Sequence, residues 1–321
     1  MNSKPTIGIL LGDSSGIGPE QVAKALASGF LQEICKPVII GDVRILKNAL
    51  KLINAEAKYS EIEKSVQIID QKNQEPEKVE IGKITAYCGK AASDMMKFAC
   101  ELCKSGEIKG FVYAPLNKAA MKDGGMKFED EQHFMADIFE IKDTFGEINA
   151  LGNLMTSRVT SHIPLSQVSE NLTIERVLRA IELSYKTVKS TGIDNPCVSV
   201  AALNPHAGEN GLCGREEIDV LAPAIELAQK RGMNVTGPYP ADTLFIRAFN
   251  GDFDSVVTMF HDQGQIAIKV KGFENGVTIS GGLPYPIATP AHGTAYDIVN
   301  KGIASVVPFE CAVKIVVKMA S

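Results

Sequence analysis

Short apolar runs of strand length alternate with longer stretches whose apolar residues recur every three or four positions, almost from end to end of the chain. Thr6–Leu11 is a compact apolar run that meets Gly12-Asp13, and it predicts a strand followed by a Gly-rich turn. A helix is expected from about Pro19 to Leu31, then a strand at Pro37–Ile40 and a helix over Val43–Leu50. Residues 52–85 are rich in Lys and Glu with weak periodicity, which predicts short strands and exposed loops. A helix over 90–105 leads to the strand Gly110–Ala114, closed by Pro115. Further on, Ile174, Val177, Leu178, Ile181, Tyr185 and Val188 fall on one helical face, opened near Asn171 or Thr173 and stopped by Gly192. A second such helix spans roughly Glu216 to Arg231, with Pro223 bending it or delaying its start. Alternation of this kind predicts an α/β protein with a largely parallel sheet and right-handed crossovers.

Three of the five histidines follow short apolar runs. His162 closes Arg158–His162, His206 follows Val198–Pro205, and His261 ends Ser255–His261. β-Branched runs ending at a polar residue read as buried strands, and ligands of open α/β sheets bind beyond the carboxyl ends of strands. One histidine alone is by default a satisfied surface group. Three at the same topological level point instead to a metal site of His162, His206 and His261, suited to Zn²⁺ or a similar first-row ion acting as Lewis acid. Asp242 caps the helix after Pro240 or turns its carboxylate into the site. Lys269 and Lys118 are solvated charges or anion binders. Asp242, Lys118 and Lys269 are thus the candidates for anion binding and proton transfer. Gly12–Glu20 is a strand–helix connector or a contact at a helix N-terminus, and it is not the dinucleotide fingerprint G-x-G-x-x-G. Ala291–Gly302 reads as a loop opening a helix, with His292 and small residues that admit a flat ring.

Composition narrows the partners. A formal charge of −5 over 321 residues argues against nucleic acid or an anionic membrane, and leaves a small anionic substrate open through local Lys and Arg. No apolar stretch approaches the ~20 residues that span a bilayer. Seven dispersed Cys suit reduced thiols in a cytoplasmic protein. Cys100-x-x-Cys103 lies within an amphipathic helix whose core face is Ala91, Met95, Phe98 and Leu102, so packing is favoured over zinc or redox chemistry.

Together, Gly12–Glu20, Ala114–Lys118, Asn204–Gly211, Gly237–Phe245, His261–Gly264 and His292–Asp297 resemble the 4-hydroxythreonine-4-phosphate dehydrogenase (PdxA) family, over nearly the whole chain. Gly16–Glu20 and His292–Ala295 are also similar to the isopropylmalate and isocitrate dehydrogenases. The resemblance implies their two-domain α/β/α sandwich, with the active site in the interdomain cleft and at a homodimer interface. It implies a cofactor-side domain of residues 1–125 plus 271–321 and a metal-binding, dimerising domain of residues 126–270. Metal ligands of the family match His162, His206 and His261, and NAD or NADP would lie along His292, Gly293, Thr294 and Asp297. Family members carry Gly-His-Thr-Glu near Phe128, where this chain has Asp130-Glu131-Gln132-His133. Thr278 stands where they have Asn, and Ile287 where they have a substrate-binding Arg. Glu131, Gln132, His133, Lys269 and Thr278 are therefore expected to read the substrate in an altered pocket.

These features lead to the expectation of a metal-dependent (Zn, Co, Mg or Mn), NAD(P)-linked dehydrogenase of vitamin B6 (pyridoxine) synthesis type. It would oxidise and decarboxylate a small β-hydroxy acid such as 4-hydroxythreonine 4-phosphate. Alternatives are phosphorylated four-carbon sugar acids (threonate or erythronate phosphate) or a dihydrodiol carboxylate as substrate. From other classes come a three-His zinc hydrolase and a silent binding protein.

Overall fold

The computed structural model describes residues 4–142 and 144–321. It forms two compact units, one holding the described residues up to 142 together with 277–321, the other residues 144–276. The chain has strands β1 (Thr6–Leu10), β2 (Lys36–Gly41), β3 (Gln67–Asp70), β4 (Phe111–Tyr113), β5 (Gly146–Leu151), β6 (Leu154–Arg158), β7 (Val198–Ala201), β8 (Val235–Tyr239), β9 (Ser255–Thr258), β10 (Val277–Gly281) and β11 (Ile287–Pro290). The unit boundaries depart from those expected at 125/126 and 270/271. Helix Glu131–Ile138 packs on helix Ala86–Ser105 and so belongs to the first unit, and helix His261–Gly272 carries the second unit past residue 270.

In the first unit the strand order is β3-β2-β1-β4-β11-β10, parallel except for β10. Ile7, Ile9, Ile39, Ile40, Phe111 and Val112 are all buried, as a parallel sheet covered on both faces requires. Helix Val43–Leu52 starts at Asp42, whose Oδ1 accepts from Arg44 N at 3.0 Å. The single helix expected over Pro19–Leu31 is two, Gly18–Ala27 and Phe30–Ile34, broken at Gly29 where φ is +81°. Residues 52–85 hold a helix, Tyr59–Ser65, besides β3. Helix Ala86–Ser105 buries Cys100 and Cys103 among its core residues, and burial pushes the Cys103 thiol up to about 12. These thiols pack, as their place on the helix suggested.

The second unit has order β5-β6-β9-β7-β8, with β6, β9, β7 and β8 parallel and β5 antiparallel to β6. One face of this sheet packs Val198, Val200 and Val257 against Val177 and Ile181 of helix Ile174–Lys189. The other packs Val256 against Leu244, Phe245 and Ile268. Burying such side chains is worth roughly 1.5–3 kcal/mol each, which explains why β7 and β9 are rich in valine, with Ser199, Ser255 and Thr258 buried among them. The segment Glu216–Arg231 begins as a wide π turn, Glu217–Leu221, before the α-helix Ala222–Lys230. Pro223 offers no N–H to the ordinary ladder, so the turn ahead of it widens.

Candidate active site

β6, β9 and β7 are neighbours and run parallel, so their carboxyl ends lie along one edge of the second unit's sheet. His162 follows β6, His261 opens the helix after β9, and His206 follows β7. The His162 and His261 rings are 6.1 Å apart between centroids, with planes inclined at 42°. His261 Nδ1 lies 2.7 Å from Asp262 Oδ1. A carboxylate only accepts, so Nδ1 carries a proton, and in the neutral ring the Nε2 lone pair is then the one available to a ligand. The strand ends are tied together: Thr160 Oγ1 donates to Met259 O at 2.7 Å, and Gln263 accepts from Met259 N and donates to Ala202 O, both at 2.7 Å. Gln263 thereby joins β9 to β7 two residue pairs beyond the last pair of their register, Val200 and Val257.

The His206 loop is built differently. His206, Ala207, Gly208, Glu209 and Asn210 all have φ between 45° and 77°, a left-handed turn in which four residues are not glycine. Such residues cost of order 1–3 kcal/mol each and persist only where the surroundings over-determine them. Here the surroundings are Glu217, a buried carboxylate that accepts from Leu203 N (2.9 Å), Asn204 N (2.8 Å) and Asn204 Nδ2 (3.0 Å). A Cβ on Gly208 would come within 2.6 Å of Glu217 Oε2, so the turn closes on glycine alone.

The donors fit a divalent cation in type and in level: two imidazoles are neighbours, one hydrogen-bonded to a carboxylate, and the third sits on the next strand end. Within the single chain the trio is open. Among the described residues no group of three His, Cys, Asp or Glu side chains is gathered closely enough to hold an ion.

In the first unit, the Gly12–Glu20 segment connects β1 to helix Gly18–Ala27, with Pro19 in its first turn. It is locked to the 292–297 segment: Ile17 N donates to Thr294 O (3.1 Å), and Tyr296 Oη donates to Asp13 Oδ2 (2.8 Å). A Cβ on Gly16 would lie 2.8 Å from the Thr294 side chain, which accounts for that glycine. Beside the lock is a recess lined by Gly16, Pro19, Ile45, Leu52, Ile81 and Val299. His292 is oriented by the buried Gln21 (Nε2 to Nε2, 3.1 Å) and by Gly293 O (2.9 Å). Gly293 and Asp297 are exposed and Thr294 buried. The expected helix after Ala291 is absent up to Val307, the next helical residue, because the segment folds as turns against the Gly12–Glu20 connector.

Lys118 starts helix Lys118–Asp123 and lies 3.5 Å from Glu131, whose side chain is only 13% exposed. Burial raises the Glu131 carboxyl above its usual range, and the Lys118 ammonium opposes the shift. Gln132 is buried beside it. His133 turns away to Asp130, with Nδ1 2.8 Å from Oδ1. Thr278 sits on β10 opposite Thr289, and Ile287 is fully buried on β11 beside Phe111 of β4. Asp242 is exposed in the first turn of helix Ala241–Phe249, whose N-cap is Pro240, so it does not cap that helix. Lys269 lies exposed on the helix that His261 opens.

Sequence reasoning passed over Glu217, Gln263 and Arg158. Each is a polar residue that reads as surface yet is enclosed, and its role shows only when the strand ends are brought together. Glu217 alone left a trace, as a carboxylate a few residues past a Gly-rich turn.

The model of the "Pyridoxal phosphate biosynthetic protein PdxA" family matches residues 33–316. A protein of Pasteurella multocida, provisionally named a 4-hydroxythreonine-4-phosphate dehydrogenase, is 38% identical over 99% of this chain and 97% of its own. One from Oceanobacillus iheyensis, provisionally named a D-threonate 4-phosphate dehydrogenase, is 40% identical over 94% of each. The crystal structure of a 4-hydroxythreonine-4-phosphate dehydrogenase from Burkholderia phymatum superposes with a TM-score of 0.84 at 36% identity, covering 99% of both chains. On this match of sequence and fold, the chain belongs to the PdxA family, a family of dehydrogenases.

Proposed function

We propose that this chain is a metal- and nicotinamide-dependent dehydrogenase that oxidises, and then decarboxylates, a small phosphorylated β-hydroxy acid. The substrate classes are 4-hydroxythreonine 4-phosphate and the phosphorylated four-carbon acids of the D-threonate type, after the names of its relatives. The observation that carries the metal reading is the close pair His162–His261 on neighbouring strand ends, with His206 on the next. Zn²⁺, Co²⁺, Mg²⁺ or Mn²⁺ held there would supply Lewis acidity that lowers the substrate hydroxyl's pKa, and NAD or NADP would accept the hydride.

The chain's own groups do the rest. Asp262 holds His261 in the ligating tautomer. Glu217 holds the strained turn that presents His206. Glu131, with its raised pKa and Lys118 at hand, is placed in the proton-handling role, and Lys118 can pair with an anionic group. Lys269, Gln132 and Thr278 are kept as substrate contacts. Asp242 stands at an exposed helix start where a carboxylate also serves the helix dipole. The recess beside Gly16 and Val299, next to the lock between Ile17 and Thr294, suits the flat ring system of the cofactor.

The open trio, together with Ile266 and Val270 standing 62% and 85% exposed on the His261 helix, supports a homodimer whose second copy meets this edge. All seven cysteines are free, which suits the cytoplasm. No helix among the described residues is long and apolar enough to cross a membrane. Membership of a dehydrogenase family sets the hydrolase reading aside.

The test is a screen of phosphorylated and unphosphorylated hydroxy acids for reduction of NAD⁺ or NADP⁺, with each of the four ions and with chelator. Reduction with a 4-phosphorylated acid, lost on chelation and restored by an ion, is expected. Turnover untouched by chelator would overturn the metal reading, and no reduction of either nucleotide with any acid would overturn the proposed reaction.

A further inference from the structure

Arg158 ends β6, and its side chain is only 8% exposed. Its guanidinium divides its donors three ways: Nε to Ser161 Oγ (3.0 Å), Nη1 to Asn149 Oδ1 (2.8 Å) and Nη2 to Glu147 Oε2 (2.5 Å). Glu147 and Asn149 are two residues apart on β5 and so share a face of the sheet, and Asn149 Nδ2 donates to Glu147 Oε1 at 3.1 Å. Asn149 Oδ1 also accepts from Gln265 Nε2. Gln265 lies one turn into the helix that His261 opens, and Ser161 is bonded directly to His162 in the chain. An unbroken line of hydrogen bonds therefore runs from the residue before His162, through Arg158 and Asn149, to the turn after His261.

Stability does not demand this arrangement. The Arg158–Glu147 ion pair leaves its carboxylate side chain 32% exposed, and such a partly solvated pair adds little stability, so the network needs another reason. The three-way fork also needs arginine: lysine carries the charge but has no planar set of donors.

We propose that Arg158, Asn149 and Gln265 are positioning residues that set the separation and tilt of the His162 and His261 rings, and hence the affinity and geometry of the ion they share. This rests on the metal reading above. Loss of such supporting hydrogen bonds weakens metal binding by about 10- to 100-fold in comparable sites.

The experiment is a Co²⁺ titration of the full chain, followed by visible absorption, on the unmutated protein and on Arg158→Lys, Arg158→Met and Gln265→Leu, each with a thermal melt. Arg158→Met removes the arginine charge from Glu147 and can fail to fold, whereas Gln265→Leu leaves the Arg158–Glu147 pair in place. We expect Gln265→Leu to lower Co²⁺ affinity about 10-fold and to alter the absorption band, with an unchanged melt in the absence of metal. Arg158→Lys should not restore affinity, because the fork and not the charge does the positioning. Co²⁺ affinity and band shape in both Gln265→Leu and Arg158→Lys equal to those of the unmutated protein would overturn the proposal. An unmutated chain that gives no Co²⁺ band would instead remove the metal reading, and this proposal with it.

Discussion

Glu131 is the residue at which burial can be titrated. Its carboxyl is nearly enclosed; burial raises its pKa and Lys118 only partly opposes this. Folding thus makes this carboxyl hold its proton more tightly than it does in the unfolded chain. The stability this gives is full in acid, below the ordinary glutamate range, and is lost as pH rises through the raised value. Glu131→Gln removes a group that must be ionised at a cost above that value. The variant should melt with the unmutated protein in acid and above it at mildly alkaline pH, while dehydrogenation loses its dependence on this group. Identical melts across the whole range would show that the carboxyl pays no burial penalty. Nothing in the sequence disclosed that penalty: Asp130-Glu131-Gln132-His133 is a run of polar residues, and the burial of Glu131 shows only once helix Glu131–Ile138 is packed on helix Ala86–Ser105.

At the scale of elements, the turn 206–210 is the part under strain. Gly208→Ala adds a Cβ within 2.6 Å of Glu217 Oε2, at a residue whose φ is +77°. It should cost about 1–3 kcal/mol in urea unfolding and weaken metal binding with it, because the turn presents His206. A denaturation midpoint unchanged from that of the unmutated protein would refute the role given to Glu217. The strands β1, β2, β4, β7 and β9 were legible because strands buried on both faces leave short runs dominated by apolar residues. The helix break at Gly29 and the helix Tyr59–Ser65 were not. The first depends on one left-handed glycine within an otherwise continuous helical pattern. The second is a short element with a single fully buried residue, Ile62, too little to imprint a period on the chain.

For the whole molecule, the topological level of the three histidines was readable from strand ends, and the sheet order β6-β9-β7 places them on adjacent strands. How near their rings come was not readable, since a loop's path after a strand is set by side chains such as Glu217, Gln263 and Arg158 that look like surface polar groups in sequence. The result is a pair of neighbouring rings and a third histidine on the next loop, with the family assignment supplying the reaction class. The most direct test of the account is anomalous diffraction at the cobalt edge from crystals of the full chain grown with Co²⁺. The account predicts one strong peak per chain, bonded to imidazole nitrogens of His162, His206 and His261, drawn from one copy or shared between two. A peak held by other side chains, or none at these rings, would contradict it.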